Sequence, residues 1–345
     1  MLNQKNLPYE LEFSRIRSFI INYNPQKILI QIADGLKFLS RYIIDYIESL
    51  NRNIESYLSA SPSYGACDIP IDEAKALNVD AIIHVGHNPY PYMGYSIDTP
   101  ILYIEAFYTG DITERLIKSI IDVLGKHRDQ NIILLASIQY IKLLNKLYDI
   151  LKAHGYKVVI PESNVKPLLR GQVLGCIYDT VKNTTSNTYL ILTSGLFHGI
   201  GVCLTKPSAK VFVADIIREE VIDLGNMCRK ILAKRYYIVS NLINNVFKTA
   251  TLIIGSRPGQ YRPWLIDMLY KRLVVKDVKV YRAIVSYLDK DRLIALDQAL
   301  GSDIYIVTSC PRLPIDDLSD FYKPLLTPGE ALMVLDESME YRYPW

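Results

Sequence analysis

The sequence predicts an α/β protein of three related units, each a parallel sheet flanked by helices. Short apolar runs that end in small or turn residues recur along the 345 residues, and stretches with helical periodicity separate them. This alternation of predicted strands and helices occurs in three successive rounds. Strands that alternate with helices favour parallel sheets joined by right-handed crossovers. The expected units span residues 1–110, 111–216 and 217–345. We expect them to pack around a pseudo-threefold axis, with the active site at their centre.

The first unit shows the clearest alternation. Its predicted helices are 36–50, where apolar residues recur at three- and four-residue steps, and 71–78, with Asp68 or Asp72 as a plausible N-cap. The predicted strands are 27–35, 54–61, 81–87 and 101–107.

The second unit repeats the order of the first. A helix over 138–155 should stop at Gly155, and a glycine-bounded turn over 171–176 ends in Cys176. The predicted strands are 131–137, 157–163, 188–195 and 210–216.

The third unit is less regular. Its cysteine, Cys310, follows the third strand, whereas Cys67 and Cys176 follow the second strand of their units. The predicted helices are 215–238, 263–276 and 292–300, and the predicted strands are 250–260, 279–288, 303–310 and 331–336. The repeat is therefore expected to be degenerate.

Composition limits the class of protein. Half of the residues are apolar and the net charge is only +3, which argues against a protein that coats a polyphosphate. No apolar run reaches the roughly 18 residues of a membrane span. The N-terminus lacks the basic start and apolar core of a signal peptide. We therefore expect a cytoplasmic protein that binds neither membranes nor nucleic acid directly.

The chain has five cysteines, and in the cytoplasm structural disulfides are not expected. The remaining roles for these cysteines are metal binding, catalysis and core packing. Cys67, Cys176 and Cys310 lie at strand ends or in loops beside small residues or proline. Cys203 and Cys228 lie in apolar or helical segments, for which core packing is the better interpretation.

The three loop cysteines can meet if the three units share an axis, because functional groups gather at the carboxyl ends of parallel strands. Three thiolates favour zinc or an iron–sulfur cluster. A structural zinc site and a cubane cluster normally take four protein ligands, so three would leave a position open. The alternatives are three unrelated buried thiols, or one nucleophile and two packing residues.

Six motifs, in this order and spread over nearly the whole chain, resemble those of the archaeal diphthamide-synthesis enzymes, the 2-(3-amino-3-carboxypropyl)histidine synthases. They contain all three loop cysteines. They are "YGACD" (64–68), "GQVLGC" (171–176), "SGLFHGIG" (194–201), "GSRPGQYRPWL" (255–265), "TSCPRLPIDD" (308–317) and "PLLTPGEAL" (324–332). Two small departures, Ala33 where proline is frequent and Gly199 where alanine is common, touch no expected cluster ligand.

The resemblance implies a homodimer in which Cys67, Cys176 and Cys310 hold a [4Fe–4S] cluster. The open iron would act on S-adenosylmethionine, and an external donor would supply the electron. Cleavage of the bond from sulfur to the methionine γ-carbon would release a 3-amino-3-carboxypropyl radical. That radical would add to an imidazole carbon of a histidine in translation elongation factor 2, the first step toward diphthamide. The family lacks the CxxxCxxC loop of other radical enzymes, and so does this sequence.

The segment 255–262 offers the most attractive contacts for S-adenosylmethionine. It ends a strand and precedes a helix N-terminus, which favours anions. Arginine side chains or backbone amides would bind the carboxylate of S-adenosylmethionine. The candidates are Arg257, Gly259, Gln260 and Arg262. The alternative is that these residues form an ordinary strand-to-helix turn with no role in ligand binding.

Further candidates come from other loops. Gly195 and His198 would pack on the nucleoside or beside the cluster, although His198 could be an interior histidine. Asp34 could hold the amino group or a ribose hydroxyl, although a helix N-cap is slightly favoured. Arg312 could bind the same carboxylate or pair with a neighbouring aspartate. His84 and His87 make a poor zinc site without further ligands, so we expect packing for the first and a supporting role for the second.

The sequence is also compatible with other functions. Quinolinate synthase also resembles three α/β units around a three-cysteine cluster, and it would use the open iron as a Lewis acid. A non-catalytic metal-binding partner subunit, or a redox or zinc scaffold, is the alternative from a different class. The three cysteines argue against the partner subunit.

Overall fold

A computed structural model describes residues 7–345. The first six residues, on which the expectation of no signal peptide partly rests, lie outside the described residues. Within the described chain there are three sheets. Their strands are β1 Lys27–Ile32, β2 Glu55–Leu58, β3 Ala81–Val85 and β4 Ile101–Ile104; β5 Asn131–Ala136, β6 Lys157–Val159, β7 Thr188–Thr193, β8 Lys210–Asp215 and β9 Glu220–Asp223; β10 Thr249–Gly255, β11 Lys279–Val285, β12 Ile304–Val307 and β13 Leu325–Leu326.

All three sheets share one strand order. In each, the second strand of the unit lies at the edge, followed by the first, third and fourth: β2-β1-β3-β4, β6-β5-β7-β8 and β11-β10-β12-β13. These pairings are parallel, and β9 alone is added antiparallel to β8. The predicted α/β class with parallel sheets is therefore confirmed, and each sheet presents the carboxyl ends of its strands at one edge.

The helices cover the sheets through apolar faces. In α4, for example, Leu116, Ile120 and Leu124 are buried at helical spacing, and the Thr113 hydroxyl accepts a hydrogen bond from the Leu116 N–H at the helix start. The helices are α1 Phe13–Tyr23, α2 Ser40–Leu50, α3 Ile71–Leu77, α4 Glu114–Leu124, α5 Leu144–Ala153, α6 Asp179–Lys182, α7 Phe197–Thr205, α8 Gly225–Asn244, α9 Pro263–Val275, α10 Lys290–Leu300 and α11 Pro328–Asp336.

The junction of the second and third units differs from the prediction. The expected helix from Asp215 begins only at Gly225, and β9 comes before it. The reason is local, because the Asp215 carboxylate accepts hydrogen bonds from the N–H groups of Ile217 and Arg218 at 3.0 Å each. Those bonds fold the chain into a tight turn, which returns it along β8 as β9.

The last predicted strand, 331–336, is wrong. These residues belong to α11, and the fourth strand of the third sheet is β13. Thr327 and Glu330 form a reciprocal capping box at the start of α11. Buried Arg235 of α8 also pairs with Glu330, and it donates to the Leu325 carbonyl at 2.7 Å. The "PLLTPGEAL" motif is thus explained by how this end of the chain folds.

Smaller differences concern helix starts. The predicted helices 36–50 and 138–155 begin as 3-10 turns over Asp34–Leu39 and Ile138–Leu143. Neither Asp68 nor Asp72 caps α3, which begins after Pro70 without a side-chain cap. In the described part of the chain no helix has the length and apolarity that a membrane crossing requires.

Cys203 and Cys228 form a disulfide between α7 and α8. The expectation that the chain has no structural disulfide is therefore wrong. The expectation that these two side chains pack in a core is correct, since both are buried in the largest apolar cluster. The two cysteines are 25 residues apart in the sequence, and their sulfurs meet because α7 and α8 pack together. The sequence pattern did not indicate that contact.

Candidate metal centre and ligand cavity

Cys67, Cys176 and Cys310 line one cavity of about 480 Å³. All three are free thiols. Cys67 lies between β2 and β3, Cys176 between β6 and β7, and Cys310 follows β12, so each sheet contributes one of them. The shared strand order explains how the third can join the others although it follows a different strand, because the carboxyl ends of neighbouring parallel strands lie at the same edge.

Burial dominates the electrostatics of the three thiols. It raises the pKa of Cys67 well above its ordinary value, and the nearby Cys176 and Cys310 raise it further. Burial likewise raises the pKa of Cys176, opposed by Arg262, and raises that of Cys310 to about 12. The three sulfurs are thus within electrostatic reach of one another. Three thiolates side by side in this cavity require a cationic partner.

The donor set fits an iron–sulfur cluster. Soft sulfur ligands select zinc or iron–sulfur centres, and a cubane offers a separate iron to each thiolate. Its ligands therefore need not converge as closely as those of a single ion. Within residues 7–345, no three histidine, cysteine, aspartate or glutamate side chains are grouped closely enough to hold one metal ion together.

Residues 255–262, the clamp segment, reach the cysteine loops through close backbone contacts. The Gly259 N–H donates to the Cys67 carbonyl at 2.9 Å. A Cβ at Gly259 would lie 2.5 Å from the Cys67 Cα, and one at Gly255 would lie 2.7 Å from the Ser309 Cβ. The clamp segment therefore packs against the loops of two of the cysteines, where no larger residue fits.

Arg262 is the buried cation of the clamp segment. Its guanidinium donates to the carbonyls of Thr308 and Ser309 at 3.1 and 2.7 Å, immediately before Cys310. It also donates to the Tyr90 hydroxyl at 2.9 Å, and that oxygen lies 3.4 Å from the Cys176 sulfur. Because Tyr90 accepts from the arginine, its own proton is available to the sulfur. Arg262 thus links the surroundings of Cys176 and Cys310.

The other two predicted contacts of the clamp segment also face protein. Arg257 pairs with Asp68 at 3.3 Å and with Asp72 at 3.7 Å. Burial raises the pKa of Asp68 to about 7, against the opposing effect of Arg257. Gln260 is buried, and its Cβ lies against Gly255. Arg257, Gly259, Gln260 and Arg262 do not line the cavity that the three cysteines share.

Residues 194–201, the cavity segment, line it through residues 194–198 and Ile200. Gly195 has φ +83°, a conformation that favours glycine, and its N–H donates to the Asp215 carboxylate at 3.2 Å. His198 Nδ1 lies 3.3 Å from the Thr193 hydroxyl. Burial, with a smaller effect of Arg312, lowers the pKa of His198 to about 4, so the ring is neutral. At Gly199 a Cβ would meet Leu224 at 2.5 Å, which explains glycine at this position.

Asp34 lies away from the cavity. It pairs with Lys37 at 2.6 Å and its side chain is 57% exposed. It occupies the first position of the 3-10 turn, and no side-chain cap is formed there. The interpretation of Asp34 as an N-cap is therefore wrong, and the cavity that holds the cysteines does not include it.

Two tyrosines of the site gave little signal in the sequence. Tyr90 contacts Cys176 and lines the cavity together with Tyr64. The cavity also includes His87 and Arg312, which the sequence does single out as candidates. Tyrosine is abundant in this chain, with 26 residues, so composition could not single out Tyr90. Its position shortly after β3 was the one available hint, because loops after parallel strands carry functional groups.

Comparison with known proteins finds similar chains over nearly the whole sequence. Residues 32–344 match the protein family described as "Putative diphthamide synthesis protein". Two similar proteins are named 2-(3-amino-3-carboxypropyl)histidine synthase. The one from Pyrococcus horikoshii is 27% identical over 97% of this chain and 93% of its own. The one from Methanocaldococcus jannaschii is 28% identical over 97% of this chain and 92% of its own.

A solved structure shows the same architecture. The crystal structure of Dph2 from Pyrococcus horikoshii with a 4Fe-4S cluster superposes with a TM-score of 0.81 at 26% identity. The match covers 97% of this chain and 93% of that one. Since the family match spans nearly the whole sequence and the fold agrees, this chain belongs to the diphthamide synthesis protein family.

Proposed function

We propose that this chain is a 2-(3-amino-3-carboxypropyl)histidine synthase. It transfers the 3-amino-3-carboxypropyl group of S-adenosylmethionine to a histidine imidazole carbon of translation elongation factor 2, the first step of diphthamide biosynthesis. The observation that carries the proposal is the single cavity lined by three free cysteines from three sheets. The names of the relatives and the 4Fe-4S cluster of the structural neighbour support it.

Cys67, Cys176 and Cys310 are the proposed ligands of a [4Fe–4S] cluster. Cys203 and Cys228 are unavailable as ligands, because they are joined to each other. When bound, a cubane with three protein ligands supplies one open iron and one electron for the cleavage of a sulfonium. An external electron donor would have to supply that electron. The three thiols are partly buried where they line the cavity, and burial is one of the factors that would set the potential of a bound cluster.

The remaining cavity residues bind and orient the sulfonium substrate. Gly195 and His198 form one wall, and Arg312 supplies a cation. Arg312 pairs with Asp316 at 3.2 Å and with Asp317 at 3.3 Å, and its side chain is 41% exposed. The guanidinium is therefore held in place but still accessible to a substrate carboxylate, which suits the planar fork of arginine. In this arrangement the clamp segment supports the cysteine loops, and its contacts to the substrate are indirect.

The proposal includes the assembly of the protein. Three units with one strand order, over about residues 1–110, 111–216 and 217–345, surround a pseudo-threefold axis at the cavity. The functional protein is a cytoplasmic homodimer, and the elongation factor is its protein substrate. Size-exclusion chromatography with light scattering tests the dimer.

The decisive experiment is anaerobic reconstitution with iron and sulfide, followed by S-adenosylmethionine, dithionite and the elongation factor. We expect methylthioadenosine and an added aminocarboxypropyl mass on the peptide that contains the target histidine. An unmodified peptide without methylthioadenosine would reject the proposal. It would leave a quinolinate-synthase-like Lewis acid or a non-catalytic partner subunit as the function.

Cysteine variants sharpen that experiment. Cys67→Ala, Cys176→Ala and Cys310→Ala should each lose most of the iron and the visible absorbance of the cluster. The matched control is the double variant Cys203→Ala/Cys228→Ala, which should keep the iron. It should unfold with a free energy lower by about 3 kcal/mol, the usual effect of removing a cross-link of this loop length. Equal iron loss in all four proteins would mean that the cavity cysteines are not the ligands.

A further inference from the structure

A chain of buried hydrogen bonds runs from the backbone beside Cys67 to the cavity wall. The Gln31 amide Nε2 lies 2.7 Å from the Asp68 carbonyl, and its Oε1 lies 2.7 Å from His84 Nδ1. His84 Nε2 in turn lies 3.0 Å from His87 Nδ1. Gln31 and His84 are almost fully buried in strands β1 and β3, and His87 follows β3 and lines the cavity.

The bond to the Asp68 carbonyl determines the direction of every other hydrogen bond in this series. A backbone carbonyl can only accept, so the Gln31 NH₂ group must face Asp68 and its oxygen must face His84. That oxygen can only accept, so His84 carries its proton on Nδ1. Burial lowers the pKa of His84 well below its ordinary value, so the ring is neutral and its Nε2 is an acceptor.

The same reasoning fixes His87. Because His84 Nε2 accepts, His87 Nδ1 must donate to it. Burial lowers the pKa of His87 to about 4, so this ring is also neutral and its Nε2 has a free lone pair. A Cβ built on Gly65 would lie 3.9 Å from His87 Nε2 and 3.8 Å from the Cys67 sulfur. The bare nitrogen therefore lies on the Cys67 side of the cavity.

We infer that His87 Nε2 accepts a hydrogen bond from the α-ammonium group of the aminocarboxypropyl donor and so orients the end of the substrate that reacts. This inference rests on the proposed function. An acceptor without a proton cannot bind the carboxylate, which Arg312 attracts instead. The adenine amino group and the ribose hydroxyls are donors at the far end of the substrate. The ammonium is three bonds from the γ-carbon that must lie near the cysteines.

The series of hydrogen bonds through Gln31, His84 and His87 can be tested in the cluster-free protein, independently of any activity. Long-range ¹H–¹⁵N spectra of the imidazole rings distinguish the two tautomers, and the chain has five histidines to assign. We expect His84 and His87 each to carry the proton on Nδ1. His154→Phe assigns one resonance and serves as the control, because His154 is exposed at the end of α5. A proton on Nε2 of His87 would overturn the inference.

Binding tests the ligand. Calorimetry on reconstituted protein should show that S-adenosylmethionine binds about 10- to 100-fold more tightly than its analogue without the α-amino group, as expected for one hydrogen bond to a charged group. His87→Phe should remove that preference and His87→Gln, which keeps an acceptor oxygen, should restore part of it. His154→Phe should keep it in full.

The outcomes separate the two proposals. If His87→Phe keeps the full preference while both proteins bind S-adenosylmethionine, the inference fails and the proposed function stands. If the wild-type protein, loaded with its cluster, does not bind S-adenosylmethionine, the proposed function fails and the inference fails with it. Cluster absorbance recorded for every variant shows whether a change in affinity reflects loss of the metal centre.

Discussion

The cavity segment, residues 194–201, and the clamp segment, residues 255–262, look alike in sequence but face different surroundings. Both are rich in glycine, both begin at a strand end, and both lead into a helix, α7 or α9. The cavity segment exposes Gly195 and His198 to the cavity. The clamp segment turns Gly259 and Arg262 toward the protein, against the loops that carry the cysteines. Local pattern therefore predicted a functional loop in both places but not its role.

The partners of each segment explain the difference. Gly199 and Gly201 of the cavity segment pack against Leu224 and Tyr178, which holds α7 on its own sheet and leaves residues 194–198 at the cavity. The clamp segment instead reaches Cys67, Tyr90 and Ser309, which lie in loops of the first and third sheets. A loop that bridges two sheets serves their relative position, whereas a loop packed on one sheet is free to line the space between them.

Loss of the buried guanidinium should have the largest effect. Arg262→Met leaves the carbonyls of Thr308 and Ser309 without their donor, and we expect the free energy of unfolding to fall by about 1–3 kcal/mol for each of these two groups. Urea unfolding measures this loss, and iron content after reconstitution should fall with it. Arg262→Lys keeps the charge but lacks the planar fork of the guanidinium. Its stability and iron content should lie between those of the wild-type protein and Arg262→Met. A stable, iron-replete Arg262→Met protein with weakened substrate binding would instead make Arg262 a ligand contact.

A methyl group at the contact with Cys67 should have the next largest effect. Gly259→Ala places a Cβ 2.5 Å from the Cys67 Cα, so one of the two backbones must shift. Overpacking of this kind costs about 1–3 kcal/mol and should reduce the yield of reconstituted cluster. Gly35→Ala is the control, because a Cβ there meets nothing within 4 Å. Iron content equal in the two variants would show that the clamp segment does not position Cys67.

The smallest effect on stability should come from the cavity segment. Gly195→Ala meets nothing within 4 Å, but alanine at φ +83° costs about 1 kcal/mol of backbone strain. Since Gly195 lines the cavity and does not touch the cysteine loops, iron content should stay normal while the affinity for S-adenosylmethionine falls. Gly125→Ala, in open space with an ordinary φ, is the control. Lost iron in Gly195→Ala would remove the distinction between the two segments.

The sequence predicted the parts of the molecule that local pattern encodes. Apolar runs gave the positions of most strands, because a strand buried on both faces must be continuously apolar. The same reasoning failed for 331–336, where an apolar run of strand length is the helix α11, started by the capping box of Thr327 and Glu330. It also missed the disulfide, since helices α7 and α8 meet only through packing.

By itself the sequence determined the α/β class with parallel sheets, the three loop cysteines and the motifs of the family, because apolar periodicity and turn residues act over a few neighbouring positions. The tertiary structure decided the direction in which each loop faces. Arg262 points to the carbonyls of Thr308 and Ser309 after β12, His84 is bonded to Gln31 of β1, and Asp34 stays at the surface. These choices depend on burial and on partners far away in the chain, which a linear pattern does not contain.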